Sequence, residues 1–421
     1  MFSKRLDWTL GRNRIADELA AQSRPYVDLT GSNPTRAGFE WPVDLLASLA
    51  HSRALLYDPD PRGLLSARQA VAEYQQVGAE QVLLTASTSE AYSYLFKLLA
   101  NPGDEILAPR PSYPLFDFLA RLESVRIVQY PLFYDHGWSI DLAALEALVT
   151  PRTRALVLVN PNNPTGSFLK RAEWEALEAL CVRHDLAVIS DEVFADFALV
   201  EDHDWVRCVA RAGGHVPAFS LGGLSKACGL PQLKLGWIVS SSASALDRLE
   251  LIADTFLSVA TPVQVALPRL LDARHAIQRQ IIHRLQANLA RLASPPDRNE
   301  TPSEPRPSRS GQTGEEMSSD PLTVRDGSLS PFTEAGAPAL AKLHHTPLIV
   351  EGGWTAVVRM PAVKTDEEWV LDLLRNHDIL VQPGFFYDFP PGSCYIVVSL
   401  LTPEADFVQG VARLQRATNP L

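Results

Sequence analysis

Between about residues 80 and 240, short apolar runs alternate with stretches of helical spacing, each separated by a turn. Residues 81–85, 105–108, 126–130, 155–159, 187–190, 218–221 and 236–239 read as strands. Most are too continuously apolar for a sheet with one wet face, so burial on both faces is expected. Helical spacing marks 90–100 and 170–184, and Asn101-Pro102-Gly103 stops the first of these. Strands alternating with helices predict an α/β fold, with a large domain whose mainly parallel sheet lies in α/β/α layers. Ligands of such sheets collect at the carboxyl ends of the strands.

Farther along, residues 243–293 read as long helices interrupted at Ala260-Thr261-Pro262. The stretch 294–338 is rich in Pro, Ser, Glu, Thr and Gly, with few large apolar residues. It cannot bury enough surface to offset its ordering entropy, so it is expected to be a disordered insertion. Beyond it, 348–360 and 395–400 have strand character, and 367–376 and 403–417 have helical spacing. They predict a smaller α+β domain completed by the N-terminal segment. The expected division is 45–270 for the large domain, and 1–44 with 271–421 for the small one.

Hydrophobic residues make up 46% of the 421 and charged residues 21%, as in ordinary globular chains. The net charge of -11, without a basic stripe, argues against nucleic acid or an anionic membrane as partner and leaves small molecules. Cys181, Cys208, Cys228 and Cys394 form no Cys-x-x-Cys pair and have no histidine at ligand spacing, so no metal site is expected. The opening Met1-Phe2-Ser3-Lys4-Arg5-Leu6-Asp7 has no apolar core of a leader or membrane span, which makes the cytoplasm the expected compartment.

Three short motifs then follow one another. They are Asn160-Pro161-Asn162-Asn163-Pro164-Thr165-Gly166, then Ser190-Asp191-Glu192, then Gly222-Gly223-Leu224-Ser225-Lys226. A lysine among small residues can form an imine with an aldehyde, an aspartate can pair with a pyridine nitrogen, and an asparagine amide can donate to a phenolic oxygen. Together they describe a pyridoxal 5'-phosphate site. With these elements in this order, and over nearly the whole chain except the insertion, the sequence resembles the class I and II aminotransferases, pyridoxal phosphate enzymes of fold-type I.

The resemblance assigns roles residue by residue. Lys226 would hold the cofactor and move the substrate's α-proton, Asp191 would keep the ring nitrogen protonated, and Asn163 would donate to the phenolic oxygen. Ser87, Thr88 and Ser89 open a predicted helix, whose free N–H groups and hydroxyls suit a phosphate. Ser225 and Lys234 would add phosphate contacts, and Tyr113 would stack on the ring. Tyr57 resembles a tyrosine reaching the neighbouring subunit's phosphate, which implies a homodimer with shared sites. Ser32 and Asn33 fall where the substrate carboxylate is bound. An amino donor and a 2-oxo acid acceptor are the implied partners.

Three positions depart from the pattern. Phe194, also expected to contact the cofactor, stands where a tyrosine often donates to the phenolic oxygen. Lys234 replaces an arginine, giving a point charge in place of a fork. Val397 sits where an arginine usually clamps the substrate carboxylate, and Arg359 or Arg62 would have to substitute for it. The favoured reading is an aminotransferase, against a carbon–sulfur β-lyase that keeps the cofactor or a binding module without turnover. The composition of the insertion generates a test. Deleting 299–330 should change stability by no more than about 1 kcal/mol, since closure entropy varies logarithmically with loop length. Loss of soluble protein on deletion would show that the segment packs.

Overall fold

The computed structural model describes residues 2–8, 11–294, 344–390 and 392–418. Apart from Ser294, the expected insertion lies outside them. An eight-stranded sheet runs in the order Val82–Thr85, Gly236–Ser240, Ala218–Gly223, Ala187–Asp191, Thr153–Val159, Glu105–Arg110, Arg126–Tyr134 and Trp138–Ile140. The five strands from Ala218–Gly223 to Arg126–Tyr134 are parallel. Gly236–Ser240 and Trp138–Ile140 oppose their neighbours. All seven expected strands are present. The eighth, Trp138–Ile140, has only three residues and carried no periodic signal of its own.

Side chains alternate between two apolar layers. Ile106, Val157, Ile189 and Phe219 face Leu95 and Phe96 of the helix Thr88–Leu99, with Leu246 and Leu249. Leu107, Leu156 and Val188 face Trp174, Leu177 and Leu180 of the helix Arg171–His184. Burial on both faces explains why the central strands read as continuous apolar runs. Arg126–Tyr134 is the exception: it lies next to the sheet's edge and keeps exposed positions along its length.

From Glu105–Arg110 the chain passes to a neighbour on one side and then crosses back to Thr153–Val159 on the other, which makes the gap between these two strands a topological switch point. Five strand ends open at the same edge, and a motif follows each. Ser87 comes after Val82–Thr85, Tyr113 after Glu105–Arg110, Asn160 to Gly166 after Thr153–Val159, Glu192 after Ala187–Asp191, and Leu224 to Lys226 after Ala218–Gly223. Gly236–Ser240 runs the other way, so it begins at this edge, two residues past Lys234.

A second region is built on antiparallel strands in the order Thr346–Pro347, Thr355–Arg359, Tyr395–Ser399 and Gln382–Pro383. Val27–Asp28 pairs with Ile379–Leu380, and Val27 and Leu29 share a core with Val358, Val398, Leu373 and Val411. Phe194 and Phe197, from the loop after Asp191, enter the same core. The expected strand 348–360 shortens to Thr355–Arg359. Gly353 takes a positive φ of 83°, and Gly352 lies against Phe168 and the Phe197 carbonyl, where a Cβ would come within 2.7 Å of that oxygen. The long helices are Ala243–Phe256, Thr261–Asp272 and Arg274–Ala293, with a further break at Ala273.

Gly166 joins the two regions. Its φ is 75°, it accepts from the Gly352 N–H at 2.9 Å, and a Cβ on it would lie 2.5 Å from the Gly352 carbonyl oxygen. A backbone atom cannot swing away as a side chain can, and the left-handed conformation itself disfavours a Cβ. Gly166→Ala should therefore cost about 2 kcal/mol or more, read as a lowered urea midpoint. An unchanged midpoint would contradict this close approach.

Candidate active site

Asp191 ends its strand 8% exposed. Tyr92 donates its hydroxyl to Oδ2 at 3.1 Å, and the Val193 N–H donates to Oδ1 at 3.2 Å. Burial pushes its pKa up to about 6, opposed by these two hydrogen bonds and by the charge of Lys226. Glu192 points elsewhere, accepting from the Val209 N–H at 2.8 Å and the Ser220 hydroxyl at 2.7 Å. Only the first carboxylate of the Asp-Glu pair faces the lysine.

Lys226 rides on the four-residue helix Leu224–Ala227. Its Nζ lies 4.7 Å from the ring centre of Trp354 and 5.3 Å from that of Phe194. These aromatic faces attract a cation yet strip it of water. Burial lowers its pKa to about 8, while Asp191 holds it up. An amine titrating this close to neutrality can be a nucleophile in one state and a proton carrier in the other.

Around this pair, Asn163 is half-buried, and the Thr355 hydroxyl lies 3.4 Å from its carbonyl oxygen and donates to Pro164 O at 3.0 Å. The Asn163 amide nitrogen has no partner among the described residues, so it is free to donate. Tyr113 is half-buried, with its ring edge on Phe116, and its hydroxyl is pushed up by burial and by Asp191. Ser87 caps the helix Thr88–Leu99, accepting from the Glu90 N–H; Thr88 is half-buried and Ser89 exposed. Ser225 is half-buried, and Lys234 is exposed in a left-handed turn. A Cβ on Gly236 would sit 3.0 Å from the Ser87 backbone and 3.1 Å from the Gly222 carbonyl, so three strand ends close tightly around the helix start.

Other expected residues lie apart. Tyr57 is 82% exposed and touches neither Lys226 nor Asp191. Ser32 is exposed, and Asn33 uses its side-chain oxygen on Thr35, accepting from its N–H at 3.0 Å and its hydroxyl at 2.8 Å. Val397 is 0% exposed, in a cluster with Val357, Trp138, Tyr387 and Phe389. Neither suggested substitute is placed as a clamp. Arg62 pairs with Asp247 and Glu250, and Arg359 is exposed over the rings of Tyr134 and Tyr395. Tyr92, Trp354 and Thr355 were missed from the sequence; the only signal was Trp354 directly after Gly352-Gly353.

A lysine, an aspartate and a helix start gathered at the carboxyl-end edge of a layered α/β sheet define the class of site. The chain belongs to the family described as aminotransferase class I and II, whose model matches residues 40–295. Members of this family work with pyridoxal 5'-phosphate. An arginine–pyruvate transaminase of Pseudomonas aeruginosa is 34% identical over 235 residues, 52% of this chain and 59% of that protein. An S-alkyl-thiohydroximate lyase of Arabidopsis thaliana is 31% identical over 243 residues, 55% of this chain and 51% of that protein. The chain thus spans 59% and 51% of these two relatives. In fold it matches an Escherichia coli aminotransferase with a TM-score of 0.75 at 21% identity, covering 99% of this chain and 98% of that one.

The residues present suit the cofactor: an amine of lowered pKa, a buried carboxylate, a free amide and a tight helix start with hydroxyls. The lysine also generates a test by linkage. Its folded pKa of about 8 lies below the ordinary 10.5, so between these values the unfolded chain binds more protons and stability rises with pH. In cofactor-free protein at pH 7, Lys226→Met should raise stability by on the order of 2 to 3 kcal/mol, an advantage that shrinks as pH climbs through that window. A pH-independent difference would place the amine in water.

Proposed function

We propose that the protein is a pyridoxal phosphate-dependent aminotransferase that moves an amino group between an amino acid or amine and a 2-oxo acid. The observation that carries this reading is the pairing of Lys226, lowered to about 8, with the buried Asp191 at one sheet edge. Bound there, pyridoxal phosphate supplies an aldehyde for the lysine and a ring that draws electrons from the substrate's α-carbon. Asp191 holds a proton on the ring nitrogen. Lys226 Nζ takes the α-proton and returns it, sheltered from water by Trp354 and Phe194. Asn163 would donate to the ring oxygen and Tyr113 would stack on the ring. Ser87, Thr88, Ser89, Ser225 and Lys234 would hold the phosphate, the last as a point charge.

The same reading divides the chain at about residues 45 and 270, supported by a core that gathers Leu45 to Leu271 at the large sheet and another that joins Ile15 to Phe39 with Ile277 to Leu414, entered from the large region by Phe194 and Phe197. It includes a homodimer: Val43, Leu46, Leu55, Leu56 and Tyr57 leave an exposed apolar segment before the first sheet strand, suited to a second copy. No described helix is long and apolar enough to cross a membrane, and a cytoplasmic location is part of the proposal. Substrate selection follows from Val397, sealed among aromatic and aliphatic side chains, and from Ser32 and Asn33, both exposed. A carboxylate entering without a paired cation is costly to desolvate, so a less charged donor, or one held by a different clamp, is favoured.

Borohydride reduction of the loaded protein should fix the cofactor on Lys226, and a panel of amino acids should convert the cofactor to its amine form. Glutamate and aspartate should react about tenfold more slowly than the best neutral donor. Pyruvate release without conversion would make the protein a carbon–sulfur lyase, no change would make it a binding module, and rapid reaction with glutamate would mean that another cation serves as clamp.

A further inference from the structure

The turn that carries Lys226 is too short to satisfy its own last carbonyls. Two side chains from distant segments complete it. Trp41 Nε1 donates to Cys228 O at 3.0 Å, and Gln278 Nε2, from the helix Arg274–Ala293, donates to Ala227 O at 2.9 Å. The same Gln278 nitrogen donates to Asp196 Oδ2 at 2.7 Å, and an amide has two hydrogens to give. Asp196 also accepts the Tyr74 hydroxyl at 2.7 Å. Gln278 is 8% exposed, so neither bond is shared with solvent at little cost.

Asp196 belongs to the loop that begins at Asp191, and Phe194 of that loop lies 5.3 Å from Lys226 Nζ. One amide therefore ties the backbone beneath the lysine to the loop headed by the aspartate. Burial raises the Asp196 pKa, while Arg274, His275 and Arg207 oppose that shift; Arg274 also stands 4.9 Å over the Tyr74 ring. The carboxylate thus faces the donors Tyr74 and Gln278, the basic side chains of Arg274, His275 and Arg207, and the buried Cys228 thiol, whose pKa it helps to raise.

We propose that Gln278 is a positioning residue for the reaction: by giving one hydrogen to Ala227 and one to Asp196, it sets the spacing between Lys226 and Asp191. This rests on the reading of Lys226 as the cofactor lysine. Loss of the bridge frees the turn while leaving the chemistry-bearing residues themselves unaltered. Rate constants then fall more than substrate affinity, because the reacting geometry is what loosens. The attraction that holds the lysine's proton also weakens as Asp191 and Lys226 drift apart.

The experiment uses cofactor-loaded wild type, Gln278→Met, which keeps the volume without the donors, and Gln278→Glu, which adds a like charge beside Asp196. A fourth variant, Tyr74→Phe, strips one donor from Asp196 and keeps the ring that packs there. Reductive labelling of wild type, a pH titration of the bound cofactor's visible absorbance, kcat and KM, and melting temperature are measured together. The expected result is kcat down about tenfold with KM within about twofold for Gln278→Met. Its absorbance midpoint moves down, Gln278→Glu is at least as impaired, and Tyr74→Phe moves less in the same direction. Lowered melting temperatures with unchanged kcat and midpoint in all the variants would overturn the proposal, leaving Gln278 a structural residue. A label on another lysine would overturn the reading of Lys226 and the proposal with it, and an unlabelled Lys226 separates that failure from the first. Should the Gln278 variants not fold, an unchanged midpoint in Tyr74→Phe overturns the proposal by itself.

Discussion

An ammonium and a carboxylate drawn out of water each lean toward their neutral forms, and the site depends on holding them in opposition. Burial lowers Lys226 to about 8 and raises Asp191 to about 6. The lysine still titrates above the aspartate, so near neutrality both remain charged. Each holds the other in its charged form: the lysine's charge lowers Asp191, and the carboxylate raises Lys226. Tyr92 and the Val193 N–H stabilise the anion, while Trp354 and Phe194 offer the cation only their faces.

Everything around this pair keeps its spacing. Crossover connections carry the chain back to begin each next parallel strand, so strand ends far apart in sequence meet at one edge. The asparagine-rich loop is buttressed from the second region by the Gly352 N–H and by Thr355. Ser399, two residues from Val397 on the same strand face, donates to Gly31 O at 2.7 Å, which brings the N-terminal segment to the same place. The site is therefore a junction: the large sheet supplies the charges and the helix start, and the antiparallel region supplies the aromatic cover.

Two of the departures that the resemblance marks share one direction. A phenyl ring stands in place of a phenol at Phe194 and an aliphatic group in place of a guanidinium at Val397, each without the polar group, whereas Lys234 keeps its charge; Trp354, whose Nε1 lacks a hydrogen-bond partner among the described residues, lies over the amine. The surroundings of the amine are therefore poor in polar groups. In such surroundings the remaining donors, Asn163 among them, act more strongly on any charge that develops.

Much of this was legible in the chain itself. Strands buried on both faces read as continuous apolar runs, and each motif stood directly after one, so local order alone placed Ser87, Tyr113, Asn163, Asp191 and Lys226 at a common edge. The three-residue edge strand Trp138–Ile140 was too short for periodicity to register. The run 348–360 was apolar enough to look like one strand, and only the close approach of Gly352 to Phe197 showed why it could not be. Tyr92 and Gln278 had no local mark at all, and Trp354 had only the Gly352-Gly353 pair before it, because each takes its role through a contact across 99, 51 and 128 residues of sequence respectively. Apolar pattern and turn chemistry act between neighbours along the chain and so are written in it; hydrogen bonds and ring contacts across the fold exist only after packing has chosen which distant side chains share a dry space.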